Sequence, residues 1–322
     1  MSEELSAAER RRALSATELE SLRTALDPEA ELVGSRPLVG GVDTATYALR
    51  LRRAAAPAGE RKVVLRVFRA WEGDVAAKVR QEFATLEAVS ASTTLAPRPL
   101  LCDAAGVLIG EPLIVMTMLE GAPLPPPIDP RAWTEQLARA LIAIHEIPLS
   151  AVQAIPRDRT AAEGIARRIA NPPPQPDPLW DEVVAVLPSL ATGLAGNPPV
   201  LVHGDLWFGN TTWRHGRLTG VVDWAGARIG DPARDIAIAR ADLRLFSGER
   251  SADVFLERYA SVRGHVNDIP FWDLWAALGP IRWLRHWLAG YEELGVALSF
   301  DKARARLEEW VRLLLRHSMP AR

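Results

Sequence analysis

The stretch that decides the fold is "LVHGDLWFGNTTWRHGRLTGVVDWAGARIGDP", from Leu201 to Pro232 of the 322-residue chain. Between apolar runs it places Asp205, Asn210 and Asp223, whose side-chain oxygen atoms can bind a cation. Mg²⁺ prefers such ligands and usually takes only one or two of them from the protein. A carboxylate can instead act as a general base that takes a proton from an attacking hydroxyl. A zinc site is not expected, because no second His or Cys lies near His203 at ligand spacing.

The spacing of these residues equals that of the protein-kinase catalytic loop H-R-D-L-x-x-x-N, in which the Asp meets the substrate hydroxyl and the Asn binds metal. Here the loop reads "HGDLWFGN", so that Gly204 stands where protein kinases have Arg. The next segment predicts a β-hairpin with Gly216 at its turn. Its second strand should return Asp223 to the same point, where protein kinases have the metal-binding Asp of Asp-Phe-Gly. Trp224 and Ala225 replace the Phe and the Gly.

At these residues the chain resembles the aminoglycoside phosphotransferase family, a branch of the kinase-like fold that phosphorylates small molecules. The resemblance extends from about Leu32 to the 290s, and the "HGDLWFGN" segment is also similar to the loop of fructosamine kinases. The matching residues are His203, Gly204, Asp205, Asn210, Asp223, Trp224, the run Gly230-Asp231-Pro232, and Asp235.

The resemblance implies a role for each matching position. Asp205 would be the catalytic base or the residue that orients the acceptor hydroxyl. Asn210 and Asp223 would hold a Mg²⁺ ion that bridges the nucleotide phosphates. His203 would brace the loop, and Asp231 and Asp235 would fix loop and helix geometry. These roles suit phosphoryl transfer, which depends on positioning and charge neutralisation more than on covalent catalysis.

The composition disfavours several other classes of protein. Hydrophobic residues make up 48% of the chain and charged residues 24%, as in globular proteins, and the net charge of −2 gives no general drive toward nucleic acid or anionic membranes. No apolar run is long enough to span a membrane, and the charged N-terminus lacks the apolar stretch of a signal peptide. The single cysteine, Cys102, fits a reducing compartment. We expect a cytoplasmic protein.

The first part of the chain predicts a β-rich lobe. Its predicted elements, in chain order, are a helix over 6–26, the strands "TYALRLRR" and "RKVVLRVF", the helix "AKVRQEFATLEAVS", and two strands around Gly110-Glu111-Pro112. Two capping-box patterns, at Ser6 and at Ser15, mark possible starts of the first helix.

The pattern becomes mostly helical after the Pro-rich segment "EGAPLPPPIDP". The order of elements therefore predicts an α+β, protein-kinase-like fold with a β-rich first lobe and a mainly helical second lobe. We place a nucleotide-binding lobe at 1–119, with a helical extension at 1–30, and a catalytic and substrate-binding lobe at 120–322. Such a division is expected to form a cleft, where ligand sites often lie.

In a kinase-like fold the first lobe holds the nucleotide phosphates. Gly40 and Gly41 would let the backbone approach a phosphate, although adjacent glycines also make ordinary hairpin turns. Arg66 would present the cation that protein kinases supply with Lys, and Lys62 is the substitute. An acid from the following helix would pair with that cation, and Glu82 is the best match.

The segment 115–121 would be the hinge, which includes Leu119 and whose backbone receives the adenine edge. The side chain of Met116 would line the base pocket, or belong to the strand core. For the acid on the preceding helix, Glu87 is the alternative to Glu82.

The acceptor is not identified by the sequence. Aminoglycosides are polycations whose sites are usually acidic, yet acidic and basic residues nearly balance from 241 to 322. This region is rich in Trp, and indoles can hold an apolar macrocycle, a sugar face or an ammonium, although aromatic residues at helical spacing more often form the core. Pro280 is expected to bend the helix that carries Trp275 and Trp283.

The leading hypothesis is a Mg²⁺-dependent phosphotransferase that moves the γ-phosphate of ATP or GTP to a hydroxyl of a small molecule. Candidate acceptors are an antibiotic, an amino-alcohol and a sugar derivative, so that the role is resistance or metabolism.

The alternative is a pseudokinase that binds nucleotide without transfer, suggested by Arg66 and the short Gly loop. A protein kinase is disfavoured, because the segment between Asp223 and Gly230 is too short for a peptide-docking activation segment.

Overall fold

The computed structural model describes residues 12–38, 44–53, 59–68, 73–123, 130–158 and 160–318. The chain divides into two compact units, residues 1–120 and 121–322. Among the residues described, no helix combines the length and the apolar character that a membrane crossing requires.

The first unit is built on a five-stranded sheet in which every strand pair is antiparallel. Its elements are helix α1 (Ala16–Leu26), strands β1 (Ala30–Pro37), β2 (Ala45–Arg53) and β3 (Arg61–Val67), helix α2 (Val75–Ser90), and strands β4 (Pro99–Asp103) and β5 (Leu113–Thr117). The strand order in the sheet is β1-β2-β3-β5-β4.

Alternation along the strands gives this sheet two different faces. On one face Leu49 of β2, Leu65 of β3 and Val115 of β5 are buried in a core that includes Leu22 of α1. The residues between them point to the other face, which carries the cross-strand row Ala48, Val64 and Met116.

Two details of the first unit differ from the sequence predictions. Helix α1 begins at Ala16, with Ser15 as its N-cap. The predicted helix over 6–26 is therefore wrong for residues 12–15, which are described and not helical. The capping box between Ser15 and Glu18 is present, whereas Ser6 lies outside the described residues.

Only one of the two strands predicted around Gly110 exists. Residues 104–112 form turns, and β4 lies upstream of them at Pro99–Asp103. The side chain of Asp103 accepts a hydrogen bond from the backbone N–H of Leu108 at 2.7 Å, which closes a turn instead of a strand ladder.

The second unit is mainly helical around short strands. Its elements are helices α3 (Pro130–His145), α4 (Ala161–Ile169) and α5 (Pro178–Ala191), strands β6 (Val200–Val202), β7 (Thr211–Arg214), β8 (Arg217–Val221) and β9 (Arg228–Gly230), and helices α6 (Pro232–Phe246), α7 (Glu249–Arg263), α8 (Ile269–Glu293) and α9 (Phe300–Ser318). Strand β6 pairs with β9 and strand β7 with β8, both antiparallel. The core of the unit contains apolar residues from α4, α5, α6, α8 and α9.

Helix α8 is kinked near the proline that the sequence singled out. Pro280 lies inside the helix, and Trp283 three residues later has non-helical angles, with φ −119° and ψ 22°. Proline removes a backbone donor and crowds the preceding turn, which accounts for a bend here. Trp283 is 48% exposed, whereas Trp275 and Trp310, which also belong to the Trp-rich region 241–322, are buried in the core.

Candidate active site

The loop after β6 contains the residues that the sequence singled out. Strand β6 ends at Val202, opposite Arg228 of β9, and His203, Gly204 and Asp205 follow directly. Gly204 has φ +86°, and a Cβ atom placed on it would lie 2.5 Å from the backbone oxygen of Gly226. Only glycine satisfies both conditions, which gives a physical reason for the absence of the arginine that protein kinases have at this position.

A buried carboxylate holds this loop by its main chain. Asp235 of α6 accepts the backbone N–H of His203 at 2.6 Å with Oδ2 and that of Gly204 at 2.7 Å with Oδ1. Burial by itself would raise the pKa of Asp235, but the hydrogen bond and charge of His145, the nearby His203 and the Gly204 N–H outweigh it and lower the pKa. The carboxylate is therefore kept ionised beneath the loop.

His145 is a functional candidate that the sequence analysis did not include among the site residues. Its Nε2 lies 3.1 Å from Asp235 Oδ2, and its Nδ1 lies 2.7 Å from the hydroxyl of Tyr259. The side chains of His145 and Asp235 are completely buried, so the three groups form a closed network under the loop. In the sequence His145 stands in the apolar run "LIAIHEI" of α3, and no local spacing relates it to Asp235 ninety residues later.

Asn210 and Asp205 are in direct contact. The amide Nδ2 of Asn210 donates to the carbonyl oxygen of Asp205 and to its carboxylate Oδ2, at 2.8 Å in each case. A 3₁₀ turn at Phe208–Asn210 brings the side chain back toward Asp205, and the Asn210 N–H bonds to the carbonyl of Trp207 at 3.0 Å. Both amide hydrogens are thus used, and the amide oxygen Oδ1 remains as the ligating end of the side chain.

The hairpin β7–β8 returns the chain to this point as the sequence predicts. His215 and Gly216, with φ +50° and +74°, form its two-residue turn. The N–H of Val222 then bonds to the carbonyl of Asn210 at 2.8 Å, and Asp223 follows in the left-handed conformation, with φ +62° and ψ +66°. A non-glycine residue in this region carries backbone strain of the kind that occurs at functional sites.

His203 links the loop to the residue before Asp223. Its ring is completely buried, its Nε2 lies 3.0 Å from the carbonyl of Val222, and its Nδ1 accepts the N–H of Asp205 at 3.3 Å. Burial lowers the pKa of His203 against the opposing charges of Asp235 and Asp223. A neutral ring with Nε2–H as donor and Nδ1 as acceptor satisfies both contacts, so His203 braces the loop.

Asp205 and Asp223 influence each other electrostatically. Asp205 is exposed to solvent, yet the surrounding protein atoms remove part of its hydration, and this together with the like charge of Asp223 raises the pKa of Asp205 to about 7. Two carboxylates and an amide oxygen in one place form a set of hard oxygen ligands, which fits Mg²⁺ better than a metal that prefers nitrogen or sulfur.

A second buried carboxyl lies two helical turns after Asp235. Asp242 accepts a hydrogen bond from the hydroxyl of Tyr291 of α8, and the ring of Tyr291 contacts that of Trp207 in the loop, with centroids 5.1 Å apart. Burial raises the pKa of Asp242 to about 7, and the charge of Asp205 acts in the same direction. The loop therefore rests on two buried acids of α6 with opposite pKa shifts.

The nucleotide-site predictions in the first unit fall on one face of its sheet. Arg66 of β3 forms an ion pair with Glu82 of α2, at 2.7 Å between Nη1 and Oε1, and its Nε donates to the hydroxyl of Thr44 at 3.1 Å. The pair is mostly buried, with 13% of the Arg66 side chain and 3% of the Glu82 side chain exposed. The alternatives considered from the sequence, Lys62 and Glu87, are both exposed.

Cross-strand pairing puts Met116 on the same face as Arg66. Met116 pairs with Val64, and Val64 pairs with Ala48, so that three apolar residues form a row next to Arg66. Leu119, two residues after β5, is half-buried. Gly40 and Gly41 lie outside the described residues.

Solved structures identify this arrangement as the fold of kinase-like phosphotransferases. Macrolide 2′-phosphotransferase MphH from Brachybacterium faecium, as the apoenzyme, matches with a TM-score of 0.58 and 20% identity over 94% of this chain and 99% of that chain. A thermostable mutant of aminoglycoside phosphotransferase APH(4)-Ia, in ternary complex with AMP-PNP and hygromycin B, matches with 0.65 and 18% over 95% and 100%. The GDP and kanamycin complex of APH(2")-IIIa matches with 0.62 and 16% over 93% and 98%. The α+β, kinase-like fold expected from the sequence is confirmed.

The sequence model of the phosphotransferase enzyme family matches residues 35–278, more than half of the chain. The chain belongs to this family, and it is a phosphotransferase with an alcohol group as acceptor, as the resemblance implied. A comparison with curated proteins gives no match.

Proposed function

We propose that this phosphotransferase moves the γ-phosphate of ATP or GTP to a hydroxyl of a small molecule in a Mg²⁺-dependent reaction. The observation that carries the proposal is the double hydrogen bond from Asn210 to Asp205, 2.8 Å to the carbonyl and 2.8 Å to Oδ2. It orients one carboxylate and one amide oxygen at the same time. The left-handed Asp223, whose charge acts on Asp205, completes the set.

Asp205 is the proposed base. One of its carboxylate oxygens is held by Asn210, and the other, Oδ1, accepts no hydrogen bond from the part of the chain that the structure describes. The acceptor hydroxyl would donate its proton to Oδ1 while its oxygen attacks the γ-phosphorus in line with the departing nucleoside diphosphate. The main chain of the loop stays fixed during this step, because Asp235 holds it from below.

Asn210 and Asp223 are the proposed Mg²⁺ ligands, through the amide Oδ1 and the carboxylate. The fit rests on the chemistry of the donors, which are all hard oxygen atoms, and on the amide orientation that Asp205 imposes. A bound Mg²⁺ would neutralise the charge of the nucleotide phosphates.

The first unit is the proposed source of the nucleotide contacts. The ion pair of Arg66 with Glu82 positions the guanidinium, whose positive charge would attract a nucleotide phosphate. The apolar row that contains Met116 offers a surface for the base, and a cavity of about 320 Å³ lined by residues that include Ala48 and Met118 lies on the same sheet. Gly40, Gly41 and Leu119 stay predictions for the phosphate loop and the hinge.

The ligands of similar solved structures suggest which nucleotides and which acceptors to test. One was crystallised with AMP-PNP and hygromycin B and another with GDP and kanamycin, so both purine nucleotides belong in the test. Antibiotics, amino-alcohols and sugar derivatives are the acceptors to screen, and resistance or metabolism is the role each would imply.

The decisive experiment measures nucleotide binding and transfer separately. Asp205→Ala should abolish Mg²⁺-dependent nucleoside diphosphate formation with the acceptor while nucleotide affinity stays within about threefold, because removal of a general base acts on the chemical step. Asp223→Ala should instead weaken Mg²⁺-nucleotide binding itself.

The matched control is Asp301→Ala, which removes an exposed acid in the first turn of α9 and should change neither binding nor transfer. Full turnover in Asp205→Ala would overturn the base assignment, and binding without transfer in the wild type would indicate a pseudokinase.

A further inference from the structure

The second unit contains a cavity with a cationic lining. It has a volume of about 270 Å³ and is bounded by α4, the residue stretch after it, α5 and α8. The polar residues of its lining are Arg167, Arg168, Asn171 and Arg282, and its aromatic residues are Trp180 and Trp283. Among the residues that the structure describes, the lining contains no acidic side chain.

Arg168 is the central cation of this cavity. Its guanidinium lies over the ring of Trp275, 3.8 Å from the centroid. Within the described part of the chain it forms no ion pair with a carboxylate. Among the described residues its guanidinium also donates no hydrogen bond. Because it presents several N–H donors in one plane, a guanidinium stacked on an indole can bind an oxyanion.

Further arginines surround Arg168 and share a single acid. Arg234 lies on Trp275 as well, 5.4 Å from the ring centroid, and its Nη1 contacts both carboxylate oxygens of Asp158 at 2.6 and 2.7 Å. Arg228 binds the same Asp158 at 3.4 Å. The pKa of Arg168 is lowered to about 9 by burial and then by the like charges of Arg234 and Arg167, as expected where positive charge exceeds negative charge.

Acidic groups near the cavity have other partners. Glu163, one turn before Arg167 on α4, accepts the backbone N–H of Thr160 at the start of the helix. Asp177, at the start of α5, is held by Arg304 of α9. Within the residues that the structure describes, the lining itself carries three arginines and no carboxylate, so its own charge is positive.

The cationic group extends toward the catalytic loop. Arg228 stands opposite Val202, three residues before Asp205, and its Nε donates to the carbonyl of Gly226 at 3.0 Å. Gly226 in turn packs against Gly204. Contacts through Arg228 and Gly226 therefore connect the arginines that share Asp158 to the loop that carries Asp205.

The aromatic lining adds an apolar wall to this charge. The kink after Pro280 leaves Trp283 non-helical and 48% exposed, and Arg282 lies 4.5 Å from the centroid of its ring. A volume of about 270 Å³ falls just below the range of ~300–1,000 Å³ that is usual for sites of drug-sized ligands, so the cavity suits one part of a ligand and not a whole macrolide.

We propose that the cavity around Arg168 binds an anionic group, a carboxylate or a phosphate ester, of a small hydroxyl compound that is the acceptor. The assignment of this compound as acceptor rests on the proposed function, whereas the anion site itself does not. A polycationic aminoglycoside would bring ammonium groups next to the lining arginines Arg167, Arg168 and Arg282, and this repulsion between like charges is unfavourable. The acceptor class is therefore a hydroxylated acid or phosphate ester with a carbon skeleton that can cover an indole.

The test uses four probes that share one carbon skeleton and differ in charge. They are D-gluconate, D-glucitol 6-phosphate, neutral D-glucitol and the ammonium compound glucamine. Titration calorimetry of the wild type without nucleotide should show at least one of the two anions binding about tenfold or more tightly than D-glucitol, with glucamine the weakest. The stronger of the two anions identifies the source of the charge as carboxylate or phosphate ester.

Three variants make the outcome specific. Arg168→Ala should remove the preference for anions, and Arg168→Lys should keep part of it, because a point charge replaces the planar fork. The control is Arg139→Ala on α3, which removes an exposed arginine that pairs with Glu135 and should leave the preference intact. Binding of D-glucitol or glucamine as tight as that of the anions, the absence of binding for all four probes, or an unchanged preference in Arg168→Ala would overturn the inference.

A parallel assay of nucleoside diphosphate formation separates this inference from the proposed function. Asp205→Ala should keep the preference for anions in calorimetry while it loses transfer. An anion preference in a wild type that transfers no phosphate would retain the site and remove the proposed function. Transfer to neutral or cationic acceptors only, without an anion preference, would retain the function and remove the site.

Discussion

One nitrogen atom of Asn210 fixes both the main chain and the side chain of Asp205, with 2.8 Å to the carbonyl oxygen and 2.8 Å to Oδ2. The same side chain directs its amide oxygen away from Asp205. Positioning of the proposed base and formation of the proposed metal site are therefore two results of one contact.

Asn210→Ala should lower kcat by at least about a hundredfold and also weaken Mg²⁺-nucleotide binding, because it frees the Asp205 carboxylate and removes one oxygen ligand. Steady-state kinetics at increasing Mg²⁺ concentration separate the two effects. Added Mg²⁺ should recover nucleotide affinity but not kcat. Recovery of both would show that Asn210 acts only on the metal.

Gly204→Ala should destabilise the protein by about 2 kcal/mol or more and lower kcat, since the new Cβ would lie 2.5 Å from the Gly226 oxygen at a φ of +86°. The matched control is Gly164→Ala in α4, where nothing lies within 4 Å of the new Cβ and φ is not positive. That change should stabilise the helix by roughly 0.5–1 kcal/mol. Urea denaturation of both variants checks the prediction, and equal effects would contradict it.

The stabilisation that Asp235 provides should be lost in acid. Its folded pKa lies below its ordinary value, so the stabilisation is present in full above about pH 4 and is lost as pH falls through the folded pKa. Asp235→Asn should cost about 3 kcal/mol at neutral pH, because two backbone N–H groups and His145 lose a charged acceptor, and the deficit should shrink in acid. Denaturation from pH 7 to pH 3 measures it. A deficit that does not depend on pH would contradict the assignment.

Asp242 should show the opposite dependence. Its pKa is raised to about 7 in the folded protein, so the folded state binds more protons than the unfolded chain, and stability falls as pH rises from about 4 to about 7. Asp242→Asn should flatten this slope, with a gain in stability relative to the wild type of the order of 3 kcal/mol from pH 4 to pH 7. Asp301→Asn, an exposed acid, is the control and should keep the wild-type slope. The same slope in Asp242→Asn as in the wild type would show that Asp242 is ionised in the fold.

Local sequence patterns predicted the parts of the fold that depend on local chemistry. The turn at His215-Gly216 and the capping box of Ser15 with Glu18 are each set by a few adjacent residues, and both are present. The family and the kinase-like fold were predicted from the spacing of His203, Asp205 and Asn210. These residues lie within eight positions of one another, so their spacing can be read directly from the sequence. The strand predicted before Gly110 failed because the side chain of Asp103, not the apolar pattern, decides that turn.

Contacts between distant segments could not be read in the same way. His145 meets Asp235 across ninety residues, and its neighbours in the sequence are those of any packed helix. The group of Arg168, Arg228 and Arg234 comes from separate elements, and a charge count over 241–322 does not include any of them. Such groups are created by tertiary packing, so a window along the chain does not show them.

The grip of Asp235 on the loop uses only main-chain N–H groups of His203 and Gly204. Substitutions on α4, α5 and the bent part of α8 should leave these two hydrogen bonds unchanged. Laboratory evolution toward a new acceptor should therefore find productive changes in those helices without loss of turnover chemistry, and selectivity and catalysis should be separately tunable in this enzyme.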